Sequence, residues 1–139
     1  MQTKMFINGE LVSGQGESVA VLDPATGATI CSIPEATGEQ VAAAVAAAER
    51  AFPGWARMAP RDRAAILLRI ADRVDAHGAE LARLESDNCG KPYQAALNDE
   101  IPGISDVFRF FAGAARCLHG SAANEYLPGH TSMIRRDPI

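Results

Sequence analysis

The polar residues best placed to do chemistry are Asn98-Asp99-Glu100, Gly90-Lys91 and the thiol of Cys89. A glycine followed by lysine invites a phosphate-loop reading. That loop needs a glycine five positions before its second glycine and a Ser or Thr after the lysine. Here those places hold Glu85 and Pro92, so the residues fail the pattern and Gly90 reads as a helix-ending glycine. Cys89 has no histidine nearby in sequence to make a thiolate of it, and reads as a small apolar filler. Cys31 and Cys117 read the same way. With three cysteines and no C-x-x-C spacing, neither a disulfide framework nor a zinc site is expected. His77, His119 and His130 fit no metal spacing; cations near helix C-termini account for the first two. Asn98, Asp99 and Glu100 suit the start of a helix, where short polar side chains cap free amides and acids meet the positive end.

These residues need elements to hold them. Residues 5–12 alternate weakly around Asn8-Gly9, a pair that supplies the positive φ angles of a two-residue hairpin. Residues 18–22 form a second short strand, Asp23-Pro24-Ala25-Thr26-Gly27 turns it, and residues 28–33 return. Thr37 and Gln40 form a capping box. Val41, Val45, Ala48 and Phe52 then make an apolar stripe, and Pro53-Gly54 is expected to stop that helix. Pro60 fits a first helical position. Ile66, Leu67, Ile70, Ala71 and Val74 stripe the next helix, which Gly78 should end. Leu81 and Leu84 anchor a shorter helix up to Gly90. A last long helix presents Val107, Phe110, Phe111, Ala114, Ala115 and Leu118, with a kink or break expected at Pro102-Gly103. Gly129 closes the helical part and the rest is extended.

The class is α/β, with few strands for its helices. The 139 residues carry a formal charge of −4, are 47% apolar and 22% charged. A compact chain of this length buries about 68–70% of its unfolded surface, enough for a core. An acidic chain lacks the basic face of a nucleic-acid binder, and Arg135-Arg136, the sole adjacent basic pair, is too small for an anionic membrane patch. The first ten residues have no apolar signal segment and no apolar run reaches membrane-helix length, so no nucleic acid, no membrane and a cytoplasmic location are expected.

Four motifs, in this order and spacing, give the chain a family likeness. They are Phe6-Ile7-Asn8-Gly9-Glu10, Asp23-Pro24-Ala25-Thr26-Gly27, Glu85-Ser86-Asp87-Asn88-Cys89-Gly90-Lys91-Pro92 and Phe108-Arg109-Phe110-Phe111-Ala112-Gly113. Together they resemble the N-terminal quarter of the aldehyde dehydrogenase superfamily, most of all its bacterial gamma-aminobutyraldehyde dehydrogenases. The resemblance implies an N-terminal β-meander plus helices of the cofactor-binding domain, incomplete. Residues 1–125 would belong to the NAD(P)-binding domain and residues 126–139 to the first strand of an oligomerisation arm.

The resemblance also implies an NAD- or NADP-dependent oxidation of a small-molecule aldehyde, such as gamma-aminobutyraldehyde, to its carboxylate, in a homo-oligomer. In that family a cysteine thiolate attacks the carbonyl, hydride passes to the nicotinamide, and a glutamate-assisted water hydrolyses the thioester. Those groups would all follow Ile139. This chain alone is therefore expected to hold no catalytic residue, bind no cofactor and be inactive. The resemblance places the long helix along the aldehyde tunnel, through positions matching Asp99 and Gly103, with Glu100 beside them. A carboxylate at Asp99 would attract the ammonium tail of an ω-aminoaldehyde. Betaine-aldehyde-type relatives also hold a monovalent cation. Its ligands here would be the Val21 and Leu22 carbonyls and the Asn88 side chain, where relatives often carry Asp. A different reading makes the chain a truncated interaction module that pairs with full-length subunits through the strand at residues 131–139.

Overall fold

A computed structural model describes residues 2–118 and 122–133. Three antiparallel hairpins and a run of helices make up the fold. Strands β1 (Met5–Ile7) and β2 (Glu10–Val12) pair around Asn8-Gly9, whose φ angles of 53° and 84° are those of the anticipated tight turn. Strands β3 (Ser18–Leu22) and β4 (Thr29–Pro34) pair next. The turn between them is built by Asp23. Its carboxylate accepts from the Ala25 amide at 2.8 Å and the Thr26 hydroxyl at 2.7 Å, and holds its proton less tightly than an ordinary aspartate as a result. The β3–β4 register slips between Val21 and Leu22: Val21 faces Cys31 and Leu22 faces Thr29, so Ile30 is a bulge.

Helix α1 (Gly38–Arg57) opens with the expected capping box of Thr37 and Gln40. Gln40 does more than cap. It is buried, its amide donates to the Ser13 carbonyl at 2.9 Å, and its oxygen accepts from the Gln15 amide at 3.1 Å. One side chain thus fastens the helix to the loop after β2. Contrary to expectation, Pro53-Gly54 does not stop α1, which continues to Arg57. The chain leaves the helix only where Met58 and Ala59 turn extended ahead of Pro60. The expected stripe is also not the buried face. Val41, Val45, Ala48 and Phe52 are exposed, and the buried residues of α1 are Gln40 and Ala47. A shallow cavity separates the β1–β2 turn from Ala44, Ala47, Ala48 and Ala51.

Helix α2 (Pro60–Ala76) starts on Pro60 as anticipated. Gly78 does not cap it; His77 alone separates α2 from α3 (Gly78–Cys89). Gly78 opens α3 and is buried, and a Cβ there would come within 3.4 Å of the Ile101 side chain. Gly90 ends α3 in the left-handed region, at φ 72°, with its amide bonded to the Ser86 carbonyl.

After Pro92 the chain stays helical to Cys117, as α4 (Tyr93–Ala95), a π turn (Ala96–Glu100) and α5 (Ile101–Cys117). Of the kink or break expected at Pro102-Gly103, no break occurs; the helix is instead disturbed just ahead of Pro102. Just before it, the Ile101 amide bonds the Ala96 carbonyl, five residues back. The extra residue widens the helix ahead of Pro102, whose ring would otherwise press on the Asn98 carbonyl. Asn98, Asp99 and Glu100 therefore sit inside this turn and cap nothing. The buried face of α5 carries Ile101, Ser105 and Ala112, while Val107, Phe110, Phe111 and Leu118 of the expected stripe stay exposed. The reason is closeness: α5 packs mainly on α2, whose buried residues are Ala64 and Ala71. The central cluster is Ala82, Ala96 and Ile101, with Val74, Leu81, Tyr93 and Leu97 around it.

Gly129 does not close a helix. It lies in the turn between β5 (Ala122–Leu127) and β6 (His130–Met133), which form the third hairpin. The expected domain boundary after residue 125 falls within β5. Of the expected strand at residues 131–139, only residues 131–133 are described. His119 and Arg135-Arg136 lie outside the described residues. Among the described residues no helix is long and apolar enough to cross a membrane, and no cluster of His, Cys, Asp and Glu could hold a metal ion.

Candidate functional site

The end of α3, the start of α5 and the bulged strand β3 meet around a half-open cavity of about 530 Å³. Val21, Ile33, Val74, Leu81, Leu84, Ile101 and Ile104 give it apolar walls, and Glu85, Asn88 and Glu100 its polar groups. Two carboxylates beside an apolar wall need a counter-charge. Lys91 supplies it. Its Nζ lies 3.3 Å from Glu85 Oε1 and also bonds Glu100 Oε2. All three side chains are about one-third exposed, at 34%, 37% and 36%. The Glu100 bond, followed by the Glu85 bond, raises the Lys91 pKa above its ordinary 10.5 despite some desolvation.

Local sequence explains how Lys91 arrives there. Gly90 turns the chain out of α3 through a conformation that costs other residues strain. Pro24, from the Asp23-Pro24-Ala25-Thr26-Gly27 turn, lies so close that a Cβ on Gly90 would stand 2.9 Å from its Cγ. Pro92 then starts the next helix, and Lys91, between the two, reaches back to Glu85 and forward to Glu100. The motif read as a helix stop is therefore also the base of an ion triad. Sequence reasoning did not single out the triad. Its signal, acids six before and nine after one lysine, becomes readable only once the positions of Gly90 and the π turn are known.

The residues named from sequence divide between two surfaces. Glu100 faces the cavity and Lys91. Asp99, its neighbour in the π turn, is exposed, and so is Gly103, where an added Cβ would meet nothing within 4 Å. Asp99 and Gly103 thus lie on an open side of the helix, apart from Glu100's partners. Of the candidate cation ligands, Val21 and Asn88 line the cavity, whereas Leu22 is half exposed and outside its lining. The three would offer two carbonyls and a neutral amide. The nearby carboxylates already hold the Lys91 ammonium, so a cation here would rest on neutral oxygens alone. Gly90-Lys91 forms no phosphate cradle, because its glycine caps a helix and its lysine is held by acids.

Cys89, expected as filler, is exposed at the end of α3, 3.9 Å from the Asn88 amide; Cys117 is also exposed, and Cys31 is half-buried in β4. His77 sits 3.2 Å from Glu80, and His130 contacts the Pro128 carbonyl at 3.1 Å. A second polar network ties α5 to α2. Arg109 bonds Asp72 at 3.0 Å and Asp75 at 2.7 Å. The Ser105 hydroxyl, 3.0 Å from the Pro102 carbonyl, has one proton to share between that carbonyl and the Asp75 carboxylate. The charged acceptor is the stronger. Ser105 first and Arg109 second hold the Asp75 pKa below its ordinary 3.8.

This geometry has close counterparts. The family model described as "Aldehyde dehydrogenase family" matches residues 11–139. Aldehyde dehydrogenase family 2 member B4, mitochondrial, of Arabidopsis thaliana is 43% identical over 121 residues, which are 85% of this chain and 22% of that protein. Benzaldehyde dehydrogenase, mitochondrial, of Antirrhinum majus is 37% identical over 98% of this chain and 26% of that protein. Betaine aldehyde dehydrogenase of Mesorhizobium japonicum is 36% identical over 96% of this chain and 27% of that protein. Among solved structures, PnpE in complex with nicotinamide adenine dinucleotide superposes with a TM-score of 0.92 at 36% identity, over 100% of this chain and 28% of that one. The chain thus spans about a quarter of the length of these relatives.

Proposed function

Because the chain belongs to the aldehyde dehydrogenase family, we propose that it serves as the first part of the cofactor-binding domain of an NAD(P)-dependent enzyme that oxidises an ω-aminoaldehyde, such as gamma-aminobutyraldehyde, to its carboxylate. The superposition on an NAD complex supports the cofactor. Relatives support the general reaction without choosing the substrate: one is named for betaine aldehyde, which carries a quaternary ammonium, and another for uncharged benzaldehyde. The choice rests on Asp99, an exposed carboxylate four residues before the open Gly103. On this reading the two face the aldehyde tunnel, and Asp99 pairs with an amino group several bonds from the reacting carbon. It takes no part in bond making.

The nicotinamide accepts hydride when bound. The groups that attack the carbonyl and activate water lie outside these residues on this reading, as do those that bind the cofactor. This chain's own contribution is to position and to select. A monovalent cation on the Val21 and Leu22 carbonyls and the Asn88 side chain belongs to the same proposal, as a structural group with no step in the reaction. Homo-oligomerisation and an arm beginning near residue 126 belong to the same proposal.

The test is Asp99→Asn in the full-length enzyme. The side chain lies inside the π turn and caps nothing, so folding should be unchanged. On the reading that the complete enzyme encloses Asp99 in its tunnel, loss of one charge pair is worth about 1.4 kcal/mol, roughly tenfold in kcat/KM for aminoaldehydes. Uncharged aldehydes of equal length should be affected less than about twofold. Equal losses on both classes would refute the aminoaldehyde reading.

A second reading, an interaction module pairing with full-length subunits, is supported by the exposed strand at His130–Met133. Mixed oligomers on combining the chain with a full-length relative would favour it.

A further inference from the structure

Resting on the aminoaldehyde reading, we propose that Lys91 is a positioning residue for substrate selection, which acts by fixing the π turn that carries Asp99. The turn has no side-chain cap. On its inner side it is held by Ala96, fully buried against Ala82 and Ile101. On its outer side Asn98 bonds its helical neighbour Gln94, at 3.3 Å. Among the described residues, the one charged tie from this turn to another element runs through Glu100 to Lys91, and from Lys91 to Glu85 on α3.

A π turn differs from an α-helix by one extra residue. If it relaxed to α geometry, the residues before or after it would slip by one position, a rotation of about 100°. Asp99 would then leave the side of the helix that Gly103 occupies. Glu100 cannot follow such a slip and keep its bond to Lys91. The triad therefore resists the slip and holds Asp99 in place, although Lys91 touches neither Asp99 nor, on this proposal, the substrate.

Position and charge predict opposite signs, which makes the idea testable. Removing the ammonium leaves Glu85 and Glu100 unneutralised. By charge alone that would strengthen the pull on a cationic substrate. By position it should weaken selection. In full-length Lys91→Met, the ratio of kcat/KM for aminoaldehyde to that for an uncharged aldehyde of equal length should fall about five- to tenfold, mainly through KM. Activity on the uncharged aldehyde should stay within about twofold. Lys91→Arg, which keeps the bridge, should restore most of the ratio. Hydrogen exchange in peptides spanning residues 93–104 should quicken in Lys91→Met and recover in Lys91→Arg.

An unchanged or raised ratio, in an enzyme whose wild type does discriminate, would overturn the role of Lys91. A wild type that does not discriminate would instead remove the aminoaldehyde reading. Exchange would then decide the remaining claim, and unchanged rates at residues 93–104 would overturn it.

Discussion

Replacing Gly90 by alanine should destabilise the chain more than the same change at Gly27, although the two glycines have nearly equal φ angles of 72° and 73°. Either alanine would adopt a left-handed conformation, at about 1–2 kcal/mol. At Gly27 nothing lies within 4 Å of the added Cβ, and the cost should end there. At Gly90 the Cβ would stand 2.9 Å from Pro24 Cγ. That ring sits in a turn tied by two Asp23 hydrogen bonds and has little room to retreat. Overpacking of this kind adds about 1–3 kcal/mol. Because Gly90 is exposed, the lower half of that range is the better guide. The sum for Gly90→Ala is about 2–4 kcal/mol, against about 1–2 for Gly27→Ala. In exchange terms the amides around Ser86 and Gly90 should open roughly 30- to 700-fold faster in Gly90→Ala, and those of residues 23–28 about 5- to 30-fold faster in Gly27→Ala. Hydrogen exchange with peptide resolution reads both. The contact itself is isolated by repeating Gly90→Ala in a Pro24→Ala background, where its penalty should fall to the backbone cost alone. Equal penalties at the two glycines, or full additivity with Pro24→Ala, would refute the docking of the turn on the helix end.

Thr37→Ala removes one cap bond and should cost about 1 kcal/mol. Gln40→Ala also strands the Ser13 carbonyl and the Gln15 amide, and should cost about 2–3 kcal/mol; denaturant midpoints of the two variants in the full-length enzyme compare them. Asp75 has a folded pKa below its ordinary 3.8, so its contribution is present above that pH and is lost as pH falls through the folded value. Asp75→Asn should accordingly be less stable than wild type at pH 7, with the gap closing on acidification below 3.8. Acid titration followed by circular dichroism checks this, and a gap that widens in acid would contradict it.

What could be read from sequence was what is decided locally. Asn8-Gly9, the Thr37–Gln40 box, Pro60 and the Gly90 stop each depend on neighbours within a few residues, and each appears where expected. Periodicity identified apolar faces correctly as apolar. It could not say which face packs, because the contacts here favour alanine over valine and phenylalanine. Gly78 and Gly129 looked like helix stops; the first is instead a close contact to Ile101 and the second a hairpin turn. Pro102 marked a disturbance of the helix, but a proline is equally compatible with a kink, a break or a π turn, and the choice among them depends on a small energy difference between helical forms. The Lys91 triad depends on that turn, and so remained illegible with it.

The alanine interior has a consequence for how the chain tolerates mutation. Among the described residues that are buried and apolar, Ala47, Ala64, Ala71, Ala82, Ala96 and Ala112 are alanines, and Ile101 is the exception. At the alanines truncation, the usual way to injure a core, has almost nothing to remove. Enlargement does the damage: a single added branch at Ala71 or Ala82, each fully enclosed, would wedge two backbones apart. A deep mutational scan should therefore run opposite to that of a leucine-filled domain, with glycine and serine accepted at these interior sites and valine or leucine rejected.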